Sequence, residues 1–227
     1  ELKGKLGGME ASIGEGGAED YLNADVSRGN LDPVTQKLAS NLKQKTGLEL
    51  IVMPLADKVR GFYDRENGRL ILSSRIGAGE QMRQVVMHEL THYIESTKNY
   101  AAYEKAALEA AYRGDTEAMD RDAAEIRKTY EDAGLPCDVN KELAAAATEK
   151  LMASLGAWGR TGSETLVYDL LGAKQSFPIR VYNKLTQFLA RRKAQKAGGA
   201  AAEHYEALVR ARDALRQAIL EAGTWKK

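Results

Sequence analysis

The chain has 227 residues, of which 44% are apolar and 29% charged. That is enough for one domain with a buried core, and too apolar for a wholly disordered chain. Its 33 Lys and Arg against 32 Asp and Glu leave a formal net charge of +1, which argues against a strongly basic nucleic-acid binder and against an acidic tail protein. The lone cysteine, Cys137, excludes an internal disulfide framework and a cysteine-rich zinc site, and there are only 3 histidines.

In chain order, residues 1–30 are rich in Gly and mixed polar residues, as in Gly14-Glu15-Gly16-Gly17, and read as a flexible lead-in or linker. Leu31, Val34, Leu38 and Leu42 then recur at helical spacing, with Asp32 as a cap, Pro33 in the first turn and Gly47 just past the end. Leu48–Pro54 is an apolar β-type run. Residues 59–63 and 69–74 flank Asp64–Gly68, whose Asn67-Gly68 pair predicts a hairpin.

From residue 79 the pattern is helical. Helices are predicted at 80–97, 100–113, 115–133, 140–155, 163–172, 178–196 and 201–222, with breaks at Gly114, Pro136, Gly156, Gly159, Gly162 and Gly198-Gly199. The helices at 100–133, rich in charge and Ala, are expected to form a solvated bracket. The fold class is therefore α+β and mostly helical: a small sheet, the helix at 80–97 that follows it and a helical C-terminal extension. The expected division is a lead-in at 1–30, a domain at 31–175 and the extension at 176–227.

No window approaches the roughly 18–20 consecutive apolar residues that a membrane span needs, and no membrane partner is expected. Nothing near the start resembles a signal peptide. The non-Met start, Glu1, is compatible with excision from something longer.

The chemistry lies in residues 84–96, which contain H-E-x-x-H as His88, Glu89 and His92. Four residues on a helix turn through about 400°, so both imidazoles sit on one face, one turn apart. That spacing lets them share a Zn²⁺ at about 2.0–2.1 Å. Glu89, about 100° round, can reach a water at that ion without being a ligand. Val86, Met87, Leu90 and Ile94 fall on the opposite face and predict a buried stripe.

A catalytic zinc takes three protein ligands and leaves one position open. His204 lies far downstream, so the third ligand is sought among carboxylates on a later helix. The best segment is 140–153, where Glu142 is the first choice and Glu149 the second, with Glu95 and Asp138 behind them. Glu142 and Glu149 share a face but stand about 10.5 Å apart along the axis, too far for both to bind one ion. Glu149 has a second reading as the partner that orients a liganding imidazole. The alanines around both let this helix approach the metal helix closely.

His88-Glu89-Leu90-Thr91-His92 resembles the metal helix of zincin metallopeptidases with a Glu third ligand. More narrowly, the chain resembles the metallopeptidase domains of phage and mobile-element polyvalent proteins. The residues that carry this are the hairpin Phe62-Tyr63-Asp64 through Leu70-Ile71-Leu72, the metal helix, and Glu142-Leu143-Ala144-Ala145 through Glu149-Lys150-Leu151. The resemblance implies a zincin-like sheet and Zn²⁺ as cofactor. It implies hydrolysis of a protein or peptide substrate with Glu89 as the proton acceptor, and a cytoplasmic place in a bacterium or phage-infected cell, within a larger polyprotein or free of it.

Tyr168, Tyr182 and Arg180 are oxyanion-donor candidates by position only. The alternative reading is a zincin-fold interaction module whose metal site is structural or vestigial. A third is nucleic-acid association through the basic run Arg180, Lys184, Arg191, Arg192, Lys193 and Lys196, for which a solvated helix face is the simpler account. Cys137 reads as a bystander thiol.

Overall fold

The computed structural model describes residues 31, 33–56, 59–76, 80–132, 134–152 and 177–224. The expected lead-in, the Asp32 cap, the helix at 163–172, the Gly156–Gly162 breaks and Tyr168 lie outside them. The described elements are α1 (Pro33–Thr46), β1 (Glu49–Met53), β2 (Gly61–Asp64), β3 (Arg69–Ser73), α2 (Glu80–Ile94), α3 (Tyr100–Tyr112), α4 (Thr116–Asp132), α5 (Val139–Met152), α6 (Phe177–Ala197) and α7 (Gly199–Thr224). The molecule is thus mostly helical with a small mixed sheet, in the coarse terms expected.

Local chemistry accounts for the turns. Gly47 takes a left-handed φ of 77° as α1 ends, and Gly68 takes 65° in the predicted hairpin. There the Asp64 carboxylate accepts from the backbone N–H groups of Glu66 and Asn67, closing the turn. Arg113 and Gly114, both at positive φ, end α3 where the helix break was expected.

The strand order is β1-β3-β2. β1 runs parallel to β3 with Leu50 beside Leu70, and β2 runs antiparallel to it with Tyr63 beside Leu70. Side chains alternate between the faces. Val52, Leu70 and Leu72 join the main core, while Ile51, Met53, Leu55 and Ile71 form a smaller cluster. β1 and β2 are the edge strands, and β2 crosses α2 closely. A Cβ on Gly61 would lie 2.9 Å from Val85 Cγ1 and 3.2 Å from Glu89 Oε1, so only glycine fits this crossing without displacement.

The main core collects Val86, Met87, Leu90 and Ile94, the predicted stripe of α2, with residues of α1, α3, α5 and α7. One expectation changes here. The stretch at 100–133 is not uniformly solvated: Tyr100, Tyr103, Ala107, Ala110 and Tyr112 of α3 are buried, whereas no residue of α4 is. Leu208, Ala211, Leu215, Ala218 and Ile219 of α7, in the stretch expected as the extension, also belong to this core. Alanines on α3 and α7 let the two helix backbones come close, so a stretch of modest hydropathy forms an interior surface. No helix among the described residues is long and apolar enough to cross a membrane.

Candidate metal centre

The site forms where α2 meets α5. Ala144, Ala145 and Ala147 of α5 are fully buried and leave room for the close approach the sequence suggested. A polar rivet fixes the pair laterally. Thr91 donates to Thr148 at 3.1 Å, Thr148 donates to the Ala144 carbonyl at 2.8 Å, and the hydroxyl of Tyr103 on α3 contacts Thr148. All three side chains are buried, so each hydroxyl needs its partner. Thr91 and Thr148 directly precede His92 and Glu149, so this network sets the register of the functional side chains.

His88 and His92 lie side by side with ring centroids 5.2 Å apart. Glu142, in the first turn of α5, faces both. One of its oxygens is 3.3 Å from His88 Nε2 and the other 3.5 Å from His92 Nε2. Ligand atoms of His88, His92 and Glu142 all lie within 4.8 Å of one another. In a tetrahedral zinc site with bonds near 2.1 Å, neighbouring ligand atoms stand about 3.4 Å apart, close to the two distances between Nε2 and carboxylate oxygen here.

The far side of each ring is held as well. His88 Nδ1 contacts Glu149 Oε1 at 2.8 Å, and His92 Nδ1 contacts Glu95 Oε1 at 2.7 Å. Glu149 is held in turn by Arg60 at 3.1 Å, and Glu95 by Lys141 at 3.2 Å and Arg65 at 3.6 Å. The seven-residue spacing therefore places Glu142 at one nitrogen of His88 and Glu149 at the other. Glu149 takes the orienting position, and Glu95 does the same for His92.

This arrangement has a direct electrostatic consequence. With each Nδ1–H donating to a carboxylate, each Nε2 presents a lone pair to the oxygens of Glu142. Lone pairs facing lone pairs require a cation between them, either a proton or a metal ion. Without a metal the proton serves. Burial draws the His88 pKa down, but contacts with Glu142 and Glu149 outweigh it and push it up to about 10. His92 moves upward for the same kind of reason, with Glu95 and Glu142 opposing burial. Burial works against ionisation of Glu142 and Glu149 too, yet the imidazoles beside them hold both below the usual carboxylate range.

Glu89 is buried beside the group, at the crossing of β2, where desolvation raises its pKa against the lowering influence of His88 and His92. A carboxyl raised toward neutrality suits proton transfer. Tyr130 of α4 lies within hydrogen-bonding reach of Glu142.

The structure thus brings together His88, Glu89, His92 and Glu142, the four residues put forward from the sequence, with Glu95 and Glu149 behind the rings. The carboxylates of Glu95 and Glu149 face the Nδ1 atoms, on the side away from Glu142. Asp138 directly precedes α5, and the backbone N–H of Lys141 donates to its carboxylate at 3.5 Å. His204 is on α7 facing Arg113, and Cys137 is half-buried near Glu142 without joining the group. Tyr182 is exposed on α6, and the Arg180 side chain lies outside what is described. Sequence reasoning missed Tyr130, which no local spacing connects to Glu142, and assigned Glu95 no orienting role although it stands one helical turn after His92. Compared with protein-family models, curated proteins and solved structures, the chain finds no significant match in any of the three.

Proposed function

We propose that the chain is a zinc-dependent metallopeptidase of zincin type, with His88, His92 and Glu142 as ligands and Glu89 as general base. The observation that carries this reading is the mutual facing of two Nε2 lone pairs and one carboxylate at 3.3 and 3.5 Å, a donor set completed by a cation. Two imidazoles and one carboxylate are a ligand set that zinc takes at catalytic sites, with a fourth position open.

A bound zinc would act there as a Lewis acid and lower the pKa of a water toward about 7. The chain's own residues supply the rest. Glu89, its basicity raised by burial, takes the proton of the attacking water and returns it to the leaving amine of the peptide. Glu149 and Glu95 fix the tautomer and tilt of the two rings by accepting from Nδ1–H. Tyr130 steadies Glu142. The edge strand β2, against α2 at Glu89, offers backbone groups along which an extended peptide can lie.

The test is peptide-library cleavage by zinc-loaded wild-type protein and by Glu89→Gln. Hydrolysis in the first and its loss in the second, with zinc retained in both, is the expected outcome. Undiminished hydrolysis by Glu89→Gln would remove the proposed role of Glu89.

A further inference from the structure

Outside the metal centre, the feature that most needs a partner is α6. Its rear packs on α7, with half-buried Thr186, Gln187, Ala190 and Ala194 turned that way, and the Tyr205 hydroxyl of α7 donates to the Gln187 carbonyl at 3.2 Å. The larger apolar side chains point outward instead. Val181, Tyr182, Leu185, Phe188 and Leu189 are 49%, 51%, 53%, 53% and 57% exposed. At about 100° per residue these five fall within an arc of about 120°, a continuous strip along a little over two turns. Leu220 is the only other large apolar side chain exposed to this degree among the described residues. An amphipathic helix that hides its small polar side and shows its apolar side is inverted for a free surface.

The charge on α6 identifies the partner's chemistry. Its sequence holds Arg180, Lys184, Arg191, Arg192, Lys193 and Lys196 and no Asp or Glu. By helical position, Lys184 and Arg191 border the strip on one side and Lys193 on the other, while Arg192 and Lys196 continue its line toward the C-terminus. Arg191 pairs with Glu206 at 3.8 Å and Arg192 lies 5.5 Å over the Phe188 ring. Lys184, Lys193 and Lys196 are exposed and make no ion pair among the described residues.

We propose that α6 docks in-plane on an anionic phospholipid surface, its apolar strip in the acyl boundary and its cations at the headgroups. A second copy of the helix would bring like charges together. A nucleic acid would meet apolar side chains where it needs cations. A protein groove that takes an amphipathic helix by its apolar face would also need acidic residues along both margins to meet these cations, whereas an anionic surface supplies negative charge on every side. A flat anionic surface matches a one-sided apolar strip with cations on both margins, which are long enough to lift their charges to the headgroup level. Tyr182 at the margin, part apolar and part polar, suits the same boundary. This is peripheral attachment, distinct from the membrane span that the sequence excluded, and it revises the expectation of no membrane partner.

The test is cosedimentation of the full chain at low ionic strength with two kinds of vesicle. One is equal parts phosphatidylglycerol and phosphatidylcholine, the other phosphatidylcholine alone. Two surface variants accompany it, Leu185→Glu with Phe188→Glu, and Lys184→Gln with Lys193→Gln, each checked by circular dichroism. The protein is expected to pellet with the anionic vesicles only, with affinity reduced about tenfold or more in either variant. No binding to anionic vesicles, binding unchanged in the first variant, or a self-association that the first variant abolishes would each overturn the assignment.

Discussion

The junction of α2 with α5 and the junction of α3 with α7 are both helix–helix contacts lined by alanine, yet they bury opposite chemistry. Between α3 and α7 the meeting residues are Ala107, Ala110, Leu208, Ala211 and Leu215, all buried and apolar. Between α2 and α5 the alanines surround His88, His92, Glu89, Glu142, Glu149, Thr91 and Thr148. The first junction stabilises the fold by removing apolar surface from water. The second places carboxylates and imidazoles in partial burial, which costs solvation and is tolerable because each group faces an opposite charge or a hydrogen-bond partner. Stability and chemistry are thus assigned to different faces of one core, and perturbing each should give a separable signature.

The largest expected effect is on chemistry alone. Glu89→Gln should lower peptide hydrolysis by about 10²–10⁴-fold, the range for loss of a general base, while zinc content and melting temperature stay near wild type. Next, Glu142→Ala should weaken zinc binding by more than about 100-fold, beyond the 10–100-fold range for orienting partners, into which Glu149→Gln and Glu95→Gln should fall. Competition with a chromogenic chelator reads all three, and a reversed order of Glu142 and Glu149 would exchange their roles. On the other junction, Leu215→Ala should cost about 2–5 kcal/mol of unfolding free energy in urea and leave zinc affinity unchanged. Thr148→Val touches both. It removes one of the two threonine partners of the Tyr103 hydroxyl and the link between Thr148 and Thr91, so a loss of about 1–2 kcal/mol should appear with a modest decrease in zinc affinity.

The pH dependence separates the two junctions further. In the metal-free protein the His88 pKa, raised to about 10, lies above its usual 6.5. The stabilisation it provides is therefore complete below about 6.5 and lost as pH rises through about 10. The depressed pKa values of Glu142 and Glu149 give the opposite edge, stabilisation present above the usual carboxylate value and lost in acid. Zinc must displace the imidazolium proton, so its affinity should rise about tenfold per pH unit for each proton released over that alkaline span. Calorimetry in buffers of different ionisation enthalpy counts those protons, and a pH-independent affinity would contradict the proton-for-metal exchange.

What was legible in the sequence follows from range. His88 and His92 were legible because one helical turn fixes their relation, and the apolar stripe of α2 because helical period fixes its face. The hairpin was legible in Asn67-Gly68. Glu142 required elimination among carboxylates, and its seven-residue distance from Glu149 argued only that the two would not bind one ion together; that they meet opposite nitrogens of His88 came from the structure. Tyr130 was not legible, since only the packing of α4 on α5 brings it to Glu142. The parallel pairing of β1 with β3 joins strands that are not consecutive, and no local pattern encodes that. The burial of α3 was misread because alanine and tyrosine at helical spacing look indifferent until a partner helix such as α7 supplies the other wall.

The most direct test of the central claim is metal stoichiometry after zinc loading and desalting, measured by plasma mass spectrometry on wild type, Glu89→Gln and Glu142→Ala. The proposed site predicts about one zinc per chain in the first two and loss of it in the third, with the helical circular dichroism of all three unchanged. A wild-type chain that retains no zinc, or a Glu142→Ala chain that retains a full equivalent, would contradict it.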